Sequence, residues 1–208
     1  GDGFINNAEK AAVSYTLANI DASTTATVTF TSSGGGAPVV VSGLGNGSTT
    51  VDLTSLGDGT ITAAVSVTDT AGNTGTGTGD TSVKDTVAPT AATINAVATD
   101  DIINAAERTA TVTVTGTNEA GATVTLNGNA ATVVGTTWSY NLSAAQITAF
   151  GEGAETLNVV STDAAGNTTS STRNINVDTI ADAAPITTVV INDGDGFINN
   201  AEKAAVSY

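Results

Sequence analysis

The sequence predicts an all-β protein made of antiparallel β-sandwich domains in tandem, and three observations support this. Short runs such as Thr109–Thr117 alternate between apolar and polar residues, which is typical of strands with one buried face. Gly, Asn and Asp separate these runs, as in sandwiches of short strands. Residues 1–15 recur letter for letter as residues 194–208, which indicates an array of similar units.

The individual elements follow from this alternation. In the middle of the chain, the predicted strands are Thr109–Thr117, a strand through Val124 and Leu126 ended by Asn127-Gly128, Trp138–Leu142, Leu157–Ser161 and Asn174–Val177. Nearer the amino terminus, they are Thr25–Ser32, Val39–Ser42, Thr49–Leu53 and Thr60–Thr68. Only Ala144–Phe150 is predicted to be helical. About seven strands are expected in each domain.

A weaker internal repeat divides the chain into domains. Asp69–Asn73 matches Asp163–Asn167 at a shift of 94 residues, so homologous domains of roughly a hundred residues follow one another. We expect one domain at 1–86, a complete domain at 87–184 and the start of a third at 185–208. The first is expected to lack its opening strand, because the equivalent of residues 185–193 would precede Gly1.

Composition excludes several classes of function. Five Lys and Arg residues stand against 20 Asp and Glu, a formal net charge of −15, so a nucleic acid is not expected as a partner. No stretch is apolar enough to insert into a membrane. There is no Cys and no His, which excludes thiol catalysis and a Ser-His-Asp triad. No paired carboxylates in a cleft are recognisable, and the chain is predicted not to be an enzyme.

Several of these motifs, in their order along the chain, resemble a known family. The order is Asp-Thr-x-Ala-Pro ending at Pro89, Asp-Asp-x-Ile-Asn-x-x-Glu from Asp100, Gly-x-x-Trp ending at Trp138, and Asp-x-Ala-Gly-Asn at Asp163, with a second Asp-Thr-x-Ala from Asp178 that an insertion separates from Pro185. It resembles the bacterial immunoglobulin-like repeats in the extender regions of giant biofilm and host-cell adhesins, of the RTX or Bap-like type. The resemblance implies tandem immunoglobulin-like sandwiches and covers essentially the whole chain, although the first domain lacks the Trp.

Acidic and amide side chains recur at equivalent positions near the domain boundaries. Because the chain has no His or Cys, only oxygen ligands are available, and these favour Ca²⁺ or Mg²⁺. Clustered carboxylates also repel one another unless a cation neutralises them. The alternative is that Asp and Asn are ordinary turn formers. The candidate calcium ligands are Asp2, Glu9, Asp69, Asn73, Asp85, Asp100, Asp101, Asn104, Glu107, Asp163, Asn167, Asp178, Asp182, Asp193, Asp195, Asn199 and Glu202.

Three features admit other interpretations. The segment Asp193–Glu202 resembles the later part of an EF-hand loop, but predicted strands flank it and it is interpreted as a loop without the EF-hand fold. The Thr-rich faces suit ice or sugar binding, or simply a solvated sheet face, which is favoured. Trp138 is expected to be the core aromatic of its domain rather than a platform for a sugar.

The expected function is structural. The resemblance implies an extracellular, calcium-stiffened spacer on a bacterial surface that holds a distal binding domain away from the cell. The alternative is a binding module in which the repeats themselves bind glycan, ice or a neighbouring repeat. The apolar, β-branched segment Ile186–Ile191 is also expected to complete the first domain of another copy, which would give head-to-tail chains.

Overall fold

The computed structural model describes residues 2–181, which form two sandwiches of mainly antiparallel strands. The first contains β1 (Phe4–Ile5), β2 (Val13–Leu17), β3 (Thr24–Ser32), β4 (Val39–Leu44), β5 (Gly47–Val51), β6 (Gly59–Asp69), β7 (Thr74–Thr76) and β8 (Asp80–Lys84). The second contains β9 (Ile102–Asn104), α1 (Ala105–Thr109), β10 (Val112–Thr117), β11 (Thr123–Leu126), β12 (Asn129–Ala130), β13 (Thr132–Val134), β14 (Thr137–Leu142), α2 (Ala144–Phe150), β15 (Gly153–Thr162) and β16 (Thr168–Asp178). The predicted fold class is confirmed.

The first sandwich packs a large sheet against a small one. The large sheet has the order β1-β8-β6-β3-β4, with β7 also paired to β6, and the small sheet is the pair β2-β5. Strands β3 and β6 are antiparallel and set Val28 opposite Val65, whereas β1 runs parallel to β8. Apolar side chains from the large sheet, such as Val28 and Phe30, and Val51 from the small sheet are buried between the layers.

The second sandwich also packs a larger sheet against a smaller one. Its sheets have the orders β12-β11-β15-β16-β9 and β10-β14-β13, and β9 is again parallel to the last strand. Trp138 is 2% exposed and lies in a core that draws on both sheets. The prediction that Trp138 is a core aromatic is therefore confirmed, and a buried indole is not available as a sugar platform.

The segment before β9 covers the edge of β10. The backbone N–H groups of Thr93 and Asn95 donate to the carbonyl oxygens of Thr117 and Thr115, both at 2.8 Å. The indole Nε1 of Trp138 donates to the Thr93 carbonyl at 3.0 Å. A Cβ at Gly116 would lie 1.9 Å from that carbonyl oxygen, so only glycine allows the segment to cross β10 at this point. The opening strand of the complete domain is thus an extended segment.

The structure corrects the predicted start of one strand. Residues 105–109, whose last residue Thr109 was placed in a strand, form the short helix α1. Asn104 caps this helix and the Glu107 side chain returns to the Asn104 N–H, a reciprocal capping box. The box satisfies two backbone donors that alternation alone ignores, so the strand begins only at Val112. The prediction also missed the short strands β1, β2, β7, β8, β9, β12 and β13. No helix within residues 2–181 is long and apolar enough to cross a bilayer.

The apolar side chains are less deeply buried in the core of the first sandwich than in that of the second, and we expect the two sandwiches to differ in stability. Val13 and Tyr15 of β2 are half-buried, whereas Val112 and Val114 of β10 are buried, because the segment 90–97 covers only the second sandwich. Less apolar burial gives a smaller free energy of unfolding.

We therefore expect the first sandwich to unfold at a lower urea concentration than the second. The chain has a single Trp, so fluorescence of Trp138 reports on the second sandwich alone, while far-ultraviolet circular dichroism reports on both. In dilute solution the dichroism midpoint should fall below the fluorescence midpoint. Coincident transitions from the two probes would contradict this ranking of the two cores.

Candidate functional site

The candidate site is the junction between the two sandwiches. From the first sandwich it takes the loop Asn6–Ala8, which follows β1, and the residues after β8 that begin at Asp85. From the second it takes the turn Asp163–Asn167 between β15 and β16. The loop and the end of β8 lie together because β1 is the parallel neighbour of β8, and the Asp85 N–H donates to the Ile5 carbonyl at 3.0 Å.

Three hydrogen bonds cross the junction. The Asn6 side-chain amide donates to the carbonyl oxygen of Ala165 at 3.1 Å. The backbone N–H of Asn7 donates to Oδ1 of Asn167 at 2.9 Å, and the Asn167 amide donates to the Asp85 carbonyl at 2.9 Å. Asn167 therefore contacts both pieces of the first sandwich. Partly buried hydrogen bonds of this kind each contribute about 1 kcal/mol.

The turn of the second sandwich is held in shape by its own acid. Asp163 accepts the Asn167 backbone N–H at 2.8 Å and the Asn167 side-chain amide at 2.9 Å. Gly166 has a φ of 88°, a left-handed conformation that favours glycine. The turn presents Asn167 to the first sandwich in a fixed orientation.

The same turn occurs in the first sandwich with a different exposure. Asp69 accepts the backbone N–H of Asn73 at 2.8 Å and its side-chain amide at 2.7 Å, and these bonds hold the pKa of Asp69 below its ordinary value. However, Asn73 is exposed, whereas Ala165 and Asn167 are 1% and 6% exposed. The internal bonds are matched, so the difference in burial comes from the contact with the first sandwich.

A hydrogen-bonded carboxylate holds the residues that lead from β8 into the junction. The carboxylate of Asp58 accepts the Thr86 backbone N–H and its hydroxyl, each at 2.9 Å, and the ammonium of Lys84 at 2.9 Å. Lys84 is 4% exposed, and its Nζ also donates to the Leu56 carbonyl at 2.8 Å. Burial by itself would raise the pKa of Asp58, but the bonds from Thr86 and Lys84 outweigh it and hold the pKa below its ordinary value.

The same pairing of an acidic side chain with a threonine recurs at the end of the second sandwich. Glu152 accepts the backbone N–H of Thr179 at 2.7 Å and also its hydroxyl, and these bonds lower the pKa of Glu152. The guanidinium of Arg108 donates to the same hydroxyl at 3.0 Å. Each sandwich thus ends with an Asp-Thr pair whose threonine is bound by an acid from the turn before β6 or β15. The repeated Gly-acid-Gly at 57–59 and 151–153 was the signal in the sequence that could have revealed it.

The predicted ligands fall into separate groups. The structure brings together Asp85, Asp163 and Asn167 at the junction, where Asn6 and Asn7 were not predicted. Asp69 and Asn73 lie in the equivalent exposed turn, and Asp178 is exposed at the end of β16. Outside the described residues lie Asp182, Asp193, Asp195, Asn199 and Glu202, together with the rest of the expected third domain.

The remaining predicted ligands have partners within their own sandwich. Glu107 and Asn104 form the capping box of α1, and Glu9 accepts the Asn6 N–H in the same arrangement. Asp101 forms an ion pair with Arg173, and the hydrogen bond from Arg173 holds the pKa of Asp101 below its ordinary value. Asp2 and Asp100 accept backbone N–H groups two residues ahead, those of Phe4 and Ile102. Residues 2–9 share their sequence with 195–202 of the EF-hand-like segment, and in this copy the Glu is a capping residue.

The chemistry of the junction is that of oxygen ligands. It offers the carboxylates of Asp85 and Asp163, the amide oxygens of Asn6 and Asn7, and the carbonyl of Ala165. Ca²⁺ takes six to eight oxygens of these types, but in this structure each of the five groups already accepts a hydrogen bond, and the Lys10 ammonium donates to the amide oxygen of Asn7 at 2.6 Å. Across residues 2–181, no three Asp or Glu side chains converge closely enough to hold a metal ion, so a cation there would depend on carbonyl and amide oxygens as well.

Comparison with known proteins identifies the class. No protein-family model matches the chain, and no curated protein does. Several solved structures match over most of it, and two of these are adhesins that are more than 30% identical to it. One, described as a Ca²⁺-stabilized adhesin that helps an Antarctic bacterium bind ice, is 35% identical over 97% of this chain and 52% of that one, with a TM-score of 0.44. The other, a bacterial ice-binding adhesin studied for retention at the host cell surface, is 31% identical over 88% of this chain and 63% of that one, with a TM-score of 0.42.

A third structure sets the family. It is a single bacterial immunoglobulin-like domain from the M. primoryensis ice-binding adhesin, 35% identical over 44% of this chain and 99% of that domain, with a TM-score of 0.33. All three TM-scores are below 0.5, so the assignment rests on sequence identity together with the observed sandwiches. The two described sandwiches have the fold of immunoglobulin-like domains. The chain belongs to the bacterial immunoglobulin-like domains of adhesins, and it spans about half to two thirds of the longer relatives.

Proposed function

We propose that this chain is part of the extender of a bacterial cell-surface adhesin, with domains at 1–86, 87–184 and 185–208. Its role is mechanical: extracellular sandwiches are held in a fixed relative orientation and project a distal ligand-binding domain for adhesion or biofilm formation. The observation that carries the proposal is the burial of Ala165 and Asn167 of the turn Asp163–Asn167 against the preceding sandwich, whereas their counterparts Ala71 and Asn73 are exposed. No catalytic step is needed for this role.

The proposal includes calcium at the junction. Asp85 and Asp163 supply two carboxylates, and Asn6, Asn7 and the Ala165 carbonyl supply neutral oxygens around them. A cation bound only by the aligned pair of sandwiches stabilises both the fold and the alignment by mass action. The net charge of −15 also favours binding of a cation over binding of an anion.

The partners we propose are neighbouring immunoglobulin-like repeats, in the same chain or in a second copy. The junction between the two described sandwiches supports this proposal, because side-chain amides and the turn Asp163–Asn167 join them there. Head-to-tail self-association by strand complementation, through the segment Ile186–Ile191, is a second mode of contact that we propose.

Calcium should raise the melting temperature of the chain, and a chelator should reverse the change. The test is a melting series in calcium and in EDTA on the chain and on Asp163→Ala, with Asp69→Ala as the matched control. Both variants remove the acid of the same turn, but only Asp163 lies at a junction within the described residues. The calcium response should shrink in Asp163→Ala and persist in Asp69→Ala.

Asp85 gives a second arm of the same test. Asp85→Ala should reduce the calcium response through loss of a ligand charge, and Asp85→Asn should reduce it less because one oxygen remains. If the melting temperature is the same in calcium and in EDTA, the metal part of the proposal fails, while the hydrogen-bonded junction still stands on its own measurements.

A further inference from the structure

The last strand of the second sandwich, β16, is bound to the start of that domain at several points. The start is the leading segment, residues 92–104, which comprises the extended stretch and loop before β9 and β9 itself. The Ser171 hydroxyl of β16 donates to the Ala92 carbonyl at 2.5 Å, and the Asn176 N–H donates to the Asp101 carbonyl at 2.8 Å. Beyond that point β9 pairs in parallel with the end of β16. The first and last parts of the domain therefore lie side by side.

Arg173 of β16 binds the leading segment at two places. Its guanidinium donates to the Ile94 carbonyl at 2.9 Å, and its Nε and a terminal nitrogen donate to the two carboxylate oxygens of Asp101 at 2.6 and 2.5 Å. A two-pronged pair of this kind is stronger and more directional than a single hydrogen bond between neutral groups. One side chain thus joins β16 both to the extended stretch and to the loop that leads into β9.

The backbone at Asp101 indicates a role for its carboxylate. Asp101 has a φ of 66°, a left-handed conformation that strains any residue except glycine. The equivalent residue of the first sandwich is Gly3, with a φ of 90°, whose carbonyl accepts the matching hydrogen bond from β8. By the same register the position of Arg173 is occupied there by Asp80. The second sandwich therefore accepts backbone strain at the position where it forms an ion pair, and the first has glycine there.

The leading segment runs in the same direction as β16. Contacts between the two advance from Ala92 with Ser171 to Asn104 with Asp178. The leading segment enters the sandwich beside the junction, where β16 also begins, and β16 ends 11 residues further on at the opposite end. Tension between the two ends of the domain therefore slides the leading segment and β16 past each other. The bonds between them lie across the direction of pull, so they resist together rather than opening one at a time.

We propose that the bonds between the leading segment and β16, with Arg173 at their centre, bear the load when the second sandwich is under tension. The inference rests on the mechanical part of the proposed function, in which the chain connects a distal binding domain with the cell, and not on calcium. Neither end of the domain can separate from the sandwich until these bonds break, so they set the rate of unfolding under force. Arg173 contributes most because it holds the extended stretch and the Asp101 loop at once.

Single-molecule force spectroscopy of the full chain tests this role. Because the chain has no Cys, Val87→Cys and Ile180→Cys give two exposed attachment points that flank the second sandwich. At a fixed force, Arg173→Met should make the sandwich unfold about tenfold faster, since it removes hydrogen bonds made by a charged group. Arg173→Lys keeps the charge without the two-pronged geometry and should be intermediate. The matched control is Asn174→Ala in the same strand, whose partner is Thr156 of β15, and it should change the rate little.

Asp101→Gly separates load bearing from ordinary stability. The substitution removes the carboxylate but also relieves the left-handed strain, so the urea midpoint followed by Trp138 fluorescence should shift little, while unfolding under force accelerates as for Arg173→Met. An Asp101→Gly variant that unfolds under force no faster than the unmodified chain would overturn the proposal. So would equal rates for Arg173→Met and Asn174→Ala. Neither result bears on the response of the melting temperature to calcium or on the alignment of the two sandwiches, which test the proposed function separately.

Discussion

Replacing Asp58 with alanine is expected to lower the free energy of unfolding of the first sandwich by about 3 kcal/mol, the largest effect of any single polar substitution considered for this chain. Lys84 is 4% exposed, and its ammonium has two partners, Asp58 and the carbonyl of Leu56. Without Asp58 the buried positive charge has no counter-charge, which costs 3–5 kcal/mol in a dry site. Asp58 is 30% exposed, so water offsets part of that cost.

The matched control is Glu152→Ala. Glu152 binds Thr179 as Asp58 binds Thr86, but no buried lysine depends on it, because the strand residue equivalent to Lys84 is the buried Val177. Urea unfolding followed by circular dichroism should show a clear loss for Asp58→Ala and a smaller one for Glu152→Ala. The double variant Asp58→Ala with Lys84→Met should recover stability, since it removes the unpaired charge. Equal losses for the two acids would show that Lys84 does not depend on Asp58.

The loss from Asp58→Ala should also depend on pH. The folded-state pKa of Asp58 lies below its ordinary value, so the carboxylate contributes its stabilisation fully above the unfolded pKa of about 4. That contribution disappears as the pH falls through the folded-state pKa. The gap in unfolding free energy between the chain and Asp58→Ala should therefore be widest at neutral pH and close under acid conditions.

Asn167→Ala should uncouple the two sandwiches, with a cost about 2 kcal/mol greater than that of Asn73→Ala. Both substitutions remove the amide that binds the acid of the same turn. Only Asn167 also accepts from the Asn7 N–H and donates to the Asp85 carbonyl. The difference between the two variants thus isolates the contacts across the junction, at about 1 kcal/mol for each hydrogen bond.

Two measurements separate these variants. Unfolding in urea should show a larger shift for Asn167→Ala, and nuclear magnetic resonance relaxation should show its two sandwiches tumbling more independently than those of Asn73→Ala. If both variants behave alike in stability and in tumbling, the junction bonds do not hold the sandwiches together, and the mechanical role loses its structural basis.

Alternation along the sequence predicted the long central strands well, because β3, β6, β10 and β14 each have one buried face. It could not predict β1 and β9, which are two or three residues long and exist only through parallel pairing with the last strand. Alternation also did not predict the helix α1, because its capping box depends on two side chains rather than on a periodic pattern.

The sequence predicted that the candidate site consists of oxygen ligands, but it did not predict which residues come together there. Asp69 is near Asp85 in sequence, so both were assigned to one boundary. Strands β7 and β8 separate them, however, and a path of about 11 extended residues covers roughly 36 Å, which places the turn at the opposite end of the sandwich. Asp163 is far from Asp85 in sequence, yet its turn lies at the junction because β15 and β16 extend back to the first sandwich.

The most direct test of the central claim, that calcium stiffens a spacer at this junction, is small-angle X-ray scattering of the chain at low concentration, in calcium and after chelation. The account predicts a larger maximum dimension and a narrower distribution of shapes in calcium, with both changes reversed by EDTA and reduced in Asp163→Ala. A maximum dimension that is the same with and without calcium would contradict the claim, and the acids of the junction would then be part of a solvated surface.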